Sequence, residues 1–124
     1  TDFLANDATG FLRADPEYDA GITGAMKIAR VAEGFGTDVE FHAPGPAQRH
    51  CIAATRSTNY YELALVHPDA PNTQPPVYEG EYSDMIDTID NDGTVSVPDG
   101  PGLGVEYDWD YIQANQTGSV HIYE

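Results

Sequence analysis

The hydrophobic and polar positions divide the first half of the chain into alternating strands and helices. Residues 11–14 are a short apolar run, typical of a buried parallel strand, residues 39–41 predict a second strand, and residues 59–65 predict a third. Residues 1–8 resemble the end of a helix that stops at Gly10. Because the segments between the strands have a helical pattern, the sequence predicts an α/β fold built from consecutive strand–helix repeats.

Two predicted helices connect these strands. The first has Thr23 as its N-cap and extends to Glu33, where Gly34 and Gly36 end it. Its inner face consists of Ala25, Met26, Ala29 and Ala32. The second helix is predicted over residues 47–56, after a rigid loop that contains Pro and Gly. A helix between each pair of strands is the repeating unit of a parallel α/β barrel.

A polar residue that can carry chemistry stands at the end of each predicted strand. Asp15 follows the first strand, His42 follows the second, and Glu62 follows Asn59-Tyr60-Tyr61 in the third. The spacings are 27 and 20 residues, and an α/β barrel of about 250 residues allots roughly 30 residues to each repeat. The carboxyl ends of barrel strands form the active-site face, so we expect these three side chains to converge in one mouth.

The second half of the chain has a different character. Residues 67–76 are a Pro-rich connection without regular structure, a turn is predicted at Asn91–Gly93 before an alternating strand, and residues 113–124 end in a short strand. This shift predicts that residues 1–65 are the C-terminal part of a barrel. Residues 66–124 would then be an extension that packs on the barrel and on a further domain.

Length and charge narrow the functional classes. The chain has 124 residues, too few for a closed barrel of about 250, so an N-terminal truncation is expected. Five basic against 21 acidic side chains give a net charge of −16, which argues against nucleic-acid binding and favours a surface adapted to high salt.

No apolar run reaches the roughly 20 residues of a membrane span, and no signal peptide is expected. A single cysteine, Cys51, suits the reducing cytoplasm.

Proton transfer is one use of the three strand-end residues. A His exchanges protons near neutral pH, and Asp15 could fix its tautomer by accepting a hydrogen bond from one ring nitrogen of His42. Glu62 could present a protonated carboxyl to an oxygen that gains charge, a role that requires a pKa raised by burial. The same residues also allow simpler interpretations: a turn started by Asp15 before Pro16, a structural His42, and a surface salt bridge of Glu62.

Three segments carry a resemblance to a known family. The runs DPEYDAGITGAMKIARVAEGFGTDVEFH, YYELAL and VPDGPGLGVE resemble the C-terminal part of mandelate-racemase-like members of the enolase superfamily. In that family an Asp ends the sixth barrel strand ahead of a Gly-(Ile/Val)-Thr segment, a His ends the seventh strand and a Glu ends the eighth. The matching residues here are Asp15, with Gly21-Ile22-Thr23, then His42 and Glu62. One departure is Asp19-Ala20-Gly21, where the family usually has two glycines in tandem.

The resemblance implies a fold and a mechanism. The fold would be the last three strand–helix units of a modified (β/α)7β TIM barrel, with a C-terminal segment that returns to the capping domain. Family members bind Mg²⁺ through acidic residues on earlier strands, which would precede Thr1, so no metal ligand is expected in this chain. By the same resemblance His42, oriented by Asp15, is the general base or acid for the proton α to a carboxylate, and Glu62 hydrogen-bonds the oxygen that becomes negative.

The implied activity is the dehydration of a sugar acid to a 2-keto-3-deoxy acid. The alternative within the family is a racemase or epimerase of a 2-hydroxy acid. The implied partners are a small sugar-acid substrate, the preceding N-terminal part of the protein, and further copies of it in a homo-oligomer. Outside the family, an acidic non-catalytic binding or structural module stays open. Within it, a degenerate member that retains the fold but binds a different ligand also stays open.

Other groups of residues are weaker candidates for metal sites. One set imitates a calcium loop, but Thr replaces its first acid and Asp its final Glu, so a plain hairpin turn is favoured: Thr88, Asp90, Asp92, Gly93 and Asp99. A second set lacks zinc-type spacing: His42, His50, Cys51, His67 and His121.

Three further features are expected to be structural. Cys51 is predicted to be a small buried residue of the second helix. Residues 100–104 are rich in glycine but lack the strand–helix setting of a nucleotide loop, which favours a tight turn. Tyr107, Trp109 and Tyr111 alternate like one face of an element and are expected to pack rather than to bind carbohydrate.

Overall fold

The computed structural model describes residues 1–63 and 76–120. Its elements, in chain order, are α1 (Asp2–Ala5), β1 (Phe11–Ala14), α2 (Gly21–Phe35), β2 (Asp38–Phe41), α3 (Pro46–Ala53), β3 (Tyr78–Glu79), a 3-10 turn (Ile86–Thr88), β4 (Glu106–Tyr107) and α4 (Trp109–Ala114). No helix among the described residues is long and apolar enough to cross a membrane.

The first two strands and the helix between them form one parallel βαβ unit. β1 and β2 pair with Leu12 opposite Val39 and Ala14 opposite Phe41. The ladder continues one step further, because the N–H of His42 donates to the carbonyl of Ala14 at 2.8 Å. Parallel strands in this register end at the same edge of the sheet, so the residues that follow them, including His42, are brought side by side.

The core of the unit lies between the strands and the two longer helices. Seven side chains are almost fully buried there: Ala14, Ala25, Ala29, Ala32, Val39, Phe41 and Cys51. The alanines of α2 allow the helix to lie close to the sheet, and Met26 packs at the margin of this cluster. The predicted inner face of α2 is therefore confirmed for its three alanines, with Met26 only half-buried.

The start of α2 differs from the prediction. Thr23 is not the N-cap: the helix begins at Gly21, after Ala20 in the left-handed region with φ 61°. A Cβ on Gly24 would lie 1.6 Å from the carbonyl oxygen of Asp19, so the preceding loop crosses directly over the first turn. Gly36, with φ 70°, ends the helix as predicted, whereas Gly34 lies inside it.

The third predicted strand is wrong over the described residues 59–63, which form no strand. The segment begins beside β2, since the N–H of Val39 donates to the carbonyl of Ser57 at 2.8 Å. Further along, the N–H of Ala43 donates to the side chain of Glu62 at 2.8 Å. The Glu62 carboxylate thus takes the N–H of Ala43, which follows β2, and the ladder of backbone hydrogen bonds beside β2 does not continue into residues 59–63. Residues 64 and 65 of the prediction lie outside the described residues.

The second half of the chain contains short elements. β3 and β4 pair antiparallel, with Tyr78 opposite Tyr107, and α4 is capped by Asp108, whose carboxylate accepts from the N–H of Tyr111. The predicted strand after the 91–93 turn is reduced to a single bridge between Ile89 and Val95.

The predicted terminal strand ends in residues that the structure does not describe. Gln113 and Ala114 end α4, and residues 119 and 120 are not in a strand. Residues 121–124 lie outside the described part of the chain, as does most of the predicted Pro-rich connection, residues 67–75. α3 also ends earlier than predicted, at Ala53, where the hydroxyl of Thr55 donates to the carbonyl of Cys51 at 2.7 Å.

Candidate active site

Asp15 and His42 form a hydrogen-bonded pair at the carboxyl ends of β1 and β2. His42 Nδ1 and Asp15 Oδ2 lie 2.9 Å apart. Asp15 is buried, with 6% of its surface exposed, while 44% of the His42 side chain is exposed. When Nδ1 donates to the carboxylate, the lone pair is on Nε2, which is the arrangement required for a base oriented by a carboxylate.

The loop after β1 holds Asp15 in place. Its second carboxylate oxygen, Oδ1, accepts from the N–H of Glu17 at 2.8 Å, and its own N–H donates to the Asp19 carboxylate at 2.8 Å. The N–H of Asp19 returns to the carbonyl of Asp15, also at 2.8 Å. Asp15 therefore does start a turn, as the simpler interpretation proposed, and it uses the other oxygen to contact His42.

Glu62 reaches the same region from the segment beside β2. Its Oε2 accepts from the Arg13 guanidinium and from the N–H of Ala43, both at 2.8 Å. Ala43 directly follows His42, so Glu62 binds the backbone next to the histidine. The structure thus brings all three predicted residues to one end of the βαβ unit.

The protonation state of Glu62 differs from the expectation. Partial burial alone would raise the pKa of Glu62, but the N–H of Ala43 and the Arg13 guanidinium favour the charged form, and the pKa lies below its ordinary value. A Glu62 that donates a proton would need a pKa raised by burial, and in the described structure the pKa is lowered instead. The arrangement presents an ionised carboxylate beside His42.

A buried polar network lies next to this site and was missed by the sequence reasoning. Arg49 of α3 and Asp84 of the second half are 4% and 3% exposed at their side chains, with Nη2 and Oδ1 2.7 Å apart. The hydroxyls of Tyr61 and Tyr82 both donate to the same Asp84 oxygen. The guanidinium carbon of Arg49 lies 5.0 Å from the ring centre of Tyr61 and 4.6 Å from that of Tyr82, within cation–π range.

The environment of this network keeps its phenols protonated. Burial, aided by the hydrogen bond to Asp84, raises the pKa of Tyr61 to about 12. The pKa of Tyr82 is raised for the same first reason, burial.

Of the residues that were missed, only Arg13 left a signal in the sequence. It lies on β1, two positions before Asp15, and its side chain therefore projects to the same side of the chain as that of Asp15.

The described residues contain no group of three or more His, Cys, Asp or Glu that could hold a metal ion. The Asp90 carboxylate accepts from the N–H groups of Asp92 and Thr94 and from the Thr94 hydroxyl, so it closes a hairpin turn. His50 contacts the carbonyl of Leu103. His67 and His121 lie outside the described residues.

The structure also describes the other features that were expected to be structural. Cys51 is buried on α3, and burial raises the pKa of its thiol. Gly104 closes a tight turn with φ 70°, and a Cβ there would lie 2.8 Å from the Pro98 backbone. The rings of Tyr107 and Trp109 pack with centres 5.7 Å apart.

Comparison with known proteins gives a family match over most of the chain. A family model described as "Enolase C-terminal domain-like" matches residues 1–111. Among solved structures, D-glucarate dehydratase from Agrobacterium tumefaciens in complex with magnesium is 32% identical, with a TM-score of 0.76, and the match covers 94% of this chain.

Two further solved structures are similar. An enolase from Thermobispora bispora, in complex with magnesium and formate, is 28% identical with a TM-score of 0.67. An enolase from Mycobacterium smegmatis, in complex with tartrate, is 26% identical with a TM-score of 0.64. Both matches cover 91% of this chain and 26% of the other. The chain spans 30% of the D-glucarate dehydratase, so it corresponds to less than a third of each of these proteins.

Proposed function

The chain belongs to the enolase C-terminal domain-like family, and from that premise we propose that it carries the proton-transfer groups of a Mg²⁺-dependent sugar-acid dehydratase. In this proposal His42 exchanges the proton α to a substrate carboxylate, and the product is a 2-keto-3-deoxy acid. The proposal concerns the whole protein, of which this chain supplies one wall of the site.

The contact between His42 Nδ1 and Asp15 Oδ2, 2.9 Å long, is the observation that carries the proposal. Asp15 is buried, and hydrogen bonds to Glu17 and Asp19 fix its position. It therefore keeps the His42 ring oriented and favours the positive charge that the ring gains when Nε2 takes a proton. Glu62 is the third group that we assign to the site. Since its carboxylate is ionised, it would orient His42 through Ala43 and accept a hydrogen bond from the substrate rather than donate a proton.

Magnesium is proposed as the cofactor because two of the similar structures contain it. The described residues do not fit such an ion, so we place its ligands in another part of the protein and derive no step through it. When bound, Mg²⁺ would hold the substrate carboxylate and stabilise negative charge on it.

The similarity to D-glucarate dehydratase, at 32% identity, supports a hydroxylated acid as substrate and elimination of water as the reaction. A racemase or epimerase of a 2-hydroxy acid is the second candidate, because the same base can return the proton to the α carbon. The tartrate named with one similar structure is itself a 2-hydroxy acid, which fits either reaction.

The test is to assay the complete protein with Mg²⁺ and a panel of sugar acids that includes D-glucarate, following α-keto acid formation. His42→Ala should lower kcat by about 10²- to 10⁴-fold, the usual contribution of a general base. His50→Gln, on α3 and outside the pair, is the matched control and should keep activity. Turnover that survives His42→Ala unchanged would remove the assigned role, and a folded protein inactive on every acid would favour a non-catalytic module.

Three organisational features also stay proposals. The division into a barrel part, 1–65, and an extension, 66–124, rests on the change in composition. Adaptation to high salt rests on the net charge of −16, and a cytoplasmic location on the lone Cys51. A homo-oligomeric state is proposed from the family resemblance alone.

A further inference from the structure

We propose that Tyr61, held by Asp84, is a positioning residue for His42: its hydroxyl fixes the loop that carries the histidine. The inference rests on the proposed function only for its kinetic consequence. Its structural part concerns only which side chain binds which backbone N–H of this loop, and it does not depend on that function.

The loop between β2 and α3 has few N–H donors, and each has a partner. The N–H of His42 donates to Ala14 O at 2.8 Å, that of Ala43 donates to Glu62 Oε2 at 2.8 Å, and that of Gly45 donates to the Tyr61 hydroxyl at 2.7 Å. Residues 44 and 46 are prolines, which have no N–H. Two consecutive side chains, Tyr61 and Glu62, therefore hold the loop's free backbone donors.

This loop needs such support because its conformation is unusual. Ala43 has φ 65°, in the left-handed region that residues other than glycine seldom adopt. Conformations of this kind persist only where the surroundings enforce them. The hydrogen bonds on either side of Pro44 supply that enforcement, directly after the residue whose ring must stay against Asp15.

Asp84 determines how the Tyr61 hydroxyl is used. A phenol has one proton, and it is directed to Asp84, so the oxygen lone pairs remain for the N–H of Gly45. Arg49 neutralises Asp84 within the buried network. Burial raises the pKa of Tyr61 to about 12, so the phenol keeps its proton at neutral pH. The second half of the chain thus fixes the histidine through a relay of two side chains.

Tyr82 provides a matched control within the same network. Its hydroxyl also donates to Asp84 Oδ1, at 2.9 Å, but no hydrogen bond joins it to the 43–45 loop among the described residues. Tyr82→Phe therefore removes one donor from Asp84 and leaves the loop's hydrogen bonds intact. Tyr61→Phe removes a donor from the same carboxylate and also leaves the N–H of Gly45 without its acceptor.

The kinetic test uses the complete protein with its best substrate. Tyr61→Phe should lower kcat by roughly 10- to 100-fold, the scale expected for a misplaced catalytic group, with KM within about threefold. Tyr82→Phe should leave both kcat and KM within about threefold of wild type. Equal effects of the two variants, or a Tyr61→Phe kcat equal to that of wild type, would overturn the inference.

A second measurement needs no turnover. Nitrogen-15 NMR of the His42 ring in the complete protein reports whether Nδ1 carries the proton; this preference should weaken in Tyr61→Phe and persist in Tyr82→Phe. If Tyr61→Phe does not fold, 3-fluorotyrosine at position 61, whose oxygen is a weaker acceptor, should move the ring signals in the same direction. Ring signals that stay at their wild-type positions would overturn the inference even if the protein proves to have another activity.

Discussion

Arg13 and Ala43 both donate to the same oxygen of Glu62, and this small detail decides what the carboxylate can do. A carboxyl group that donates a proton must be kept neutral, which requires burial without a cation nearby. Arg13 is such a cation, and the side chains of the pair remain 51% and 40% exposed. At the scale of single residues, Glu62 is therefore an acceptor, which leaves His42 as the proton carrier that we propose.

Replacement of Arg13 by Met should raise the pKa of Glu62 towards its ordinary value, because a positive charge and one hydrogen bond are lost. Carbon-13 NMR of the Glu62 carboxyl measures the titration directly. Arg30→Met is the control, since Arg30 pairs with Glu33 on the surface of α2 and should leave the Glu62 titration unchanged. A Glu62 midpoint that is identical in Arg13→Met and wild type would refute this assignment.

The same shift predicts the sign of a pH effect on stability. The folded pKa of Glu62 lies below the ordinary value of 4.5, so the ionised group stabilises the fold above that pH. This contribution is lost as the pH falls through the folded pKa. Acid titrations of the melting temperature of the complete protein should therefore show a smaller loss below pH 4.5 in Arg13→Met than in wild type.

At the scale of elements, the loop that holds Asp15 is shaped by its contact with the first turn of α2. Gly24→Ala would place a Cβ 1.6 Å from the Asp19 carbonyl, so the loop or the helix must move. Destabilisation of about 1–3 kcal/mol is expected from such overpacking, with a fall in activity because Asp15 shifts. Thermal or denaturant unfolding measures the change.

Gly34→Ala is the control for that substitution. Gly34 also lies inside α2 but has nothing within 4 Å of the added Cβ. Ala in an open helix position should stabilise the protein by about 0.5–1 kcal/mol. If both variants changed stability in the same direction and by the same amount, the close approach at Gly24 would not be what constrains the loop.

The link between α3 and the second half of the chain depends on the buried pair of Arg49 and Asp84. Asp84→Ala should destabilise the protein by about 3–5 kcal/mol, because it leaves the guanidinium buried without its counter-charge. The double variant Arg49→Met, Asp84→Leu should recover much of that loss, since no charge is then buried. Denaturant unfolding distinguishes the two; a single variant as stable as wild type would show that the pair is not buried.

The elements that sequence patterns predicted are those fixed by local rules. β1 is a short, mainly apolar run, β2 alternates acidic and apolar residues, and α2 has a face of alanines, so each could be assigned without knowledge of its neighbours. The contact of Asp15 with His42 followed from the rule that parallel strands end at one edge. The third strand failed because strand formation there depends on a ladder, and a Glu62 carboxylate takes the donor that follows β2.

The features that sequence reasoning missed depend on contacts between distant residues. The charge state of Glu62 is set by Arg13, which is 49 positions away, and the role of Tyr61 by Asp84, 23 positions away. No local periodicity reports such pairs. The start of α2 was misplaced for a related reason: Thr23 is a residue type that favours the N-cap, but the Asp15–Asp19 turn places the N-cap at Ala20, three residues earlier.

At the scale of the whole molecule, the predicted family and fold class are confirmed: the chain is the C-terminal α/β barrel part of the enolase superfamily. Within the described residues, the barrel sheet consists of two parallel strands. No further strand among the described residues pairs with the edges of this sheet, and large apolar side chains are exposed in the same part of the chain: Phe3, Phe11, Ile22, Phe35 and Tyr60.

These exposed edges predict the behaviour of the isolated chain. Residues 1–124 expressed alone should lack a cooperative thermal transition and should bind a hydrophobic dye, because a two-stranded parallel sheet leaves its apolar surface open to water. The complete protein, measured in parallel, should melt cooperatively. A sharp, reversible transition of the isolated chain would instead favour an independent acidic module.

The proposed function requires the His42 ring, oriented by Asp15, to exchange the α proton of a carboxylic acid. The most direct measurement is the exchange of that proton with solvent deuterium, followed by proton NMR in the complete protein with Mg²⁺ and a sugar acid. His42→Asn should slow this exchange by about 10²- to 10⁴-fold while the protein stays folded. Exchange at the wild-type rate in His42→Asn would contradict this role.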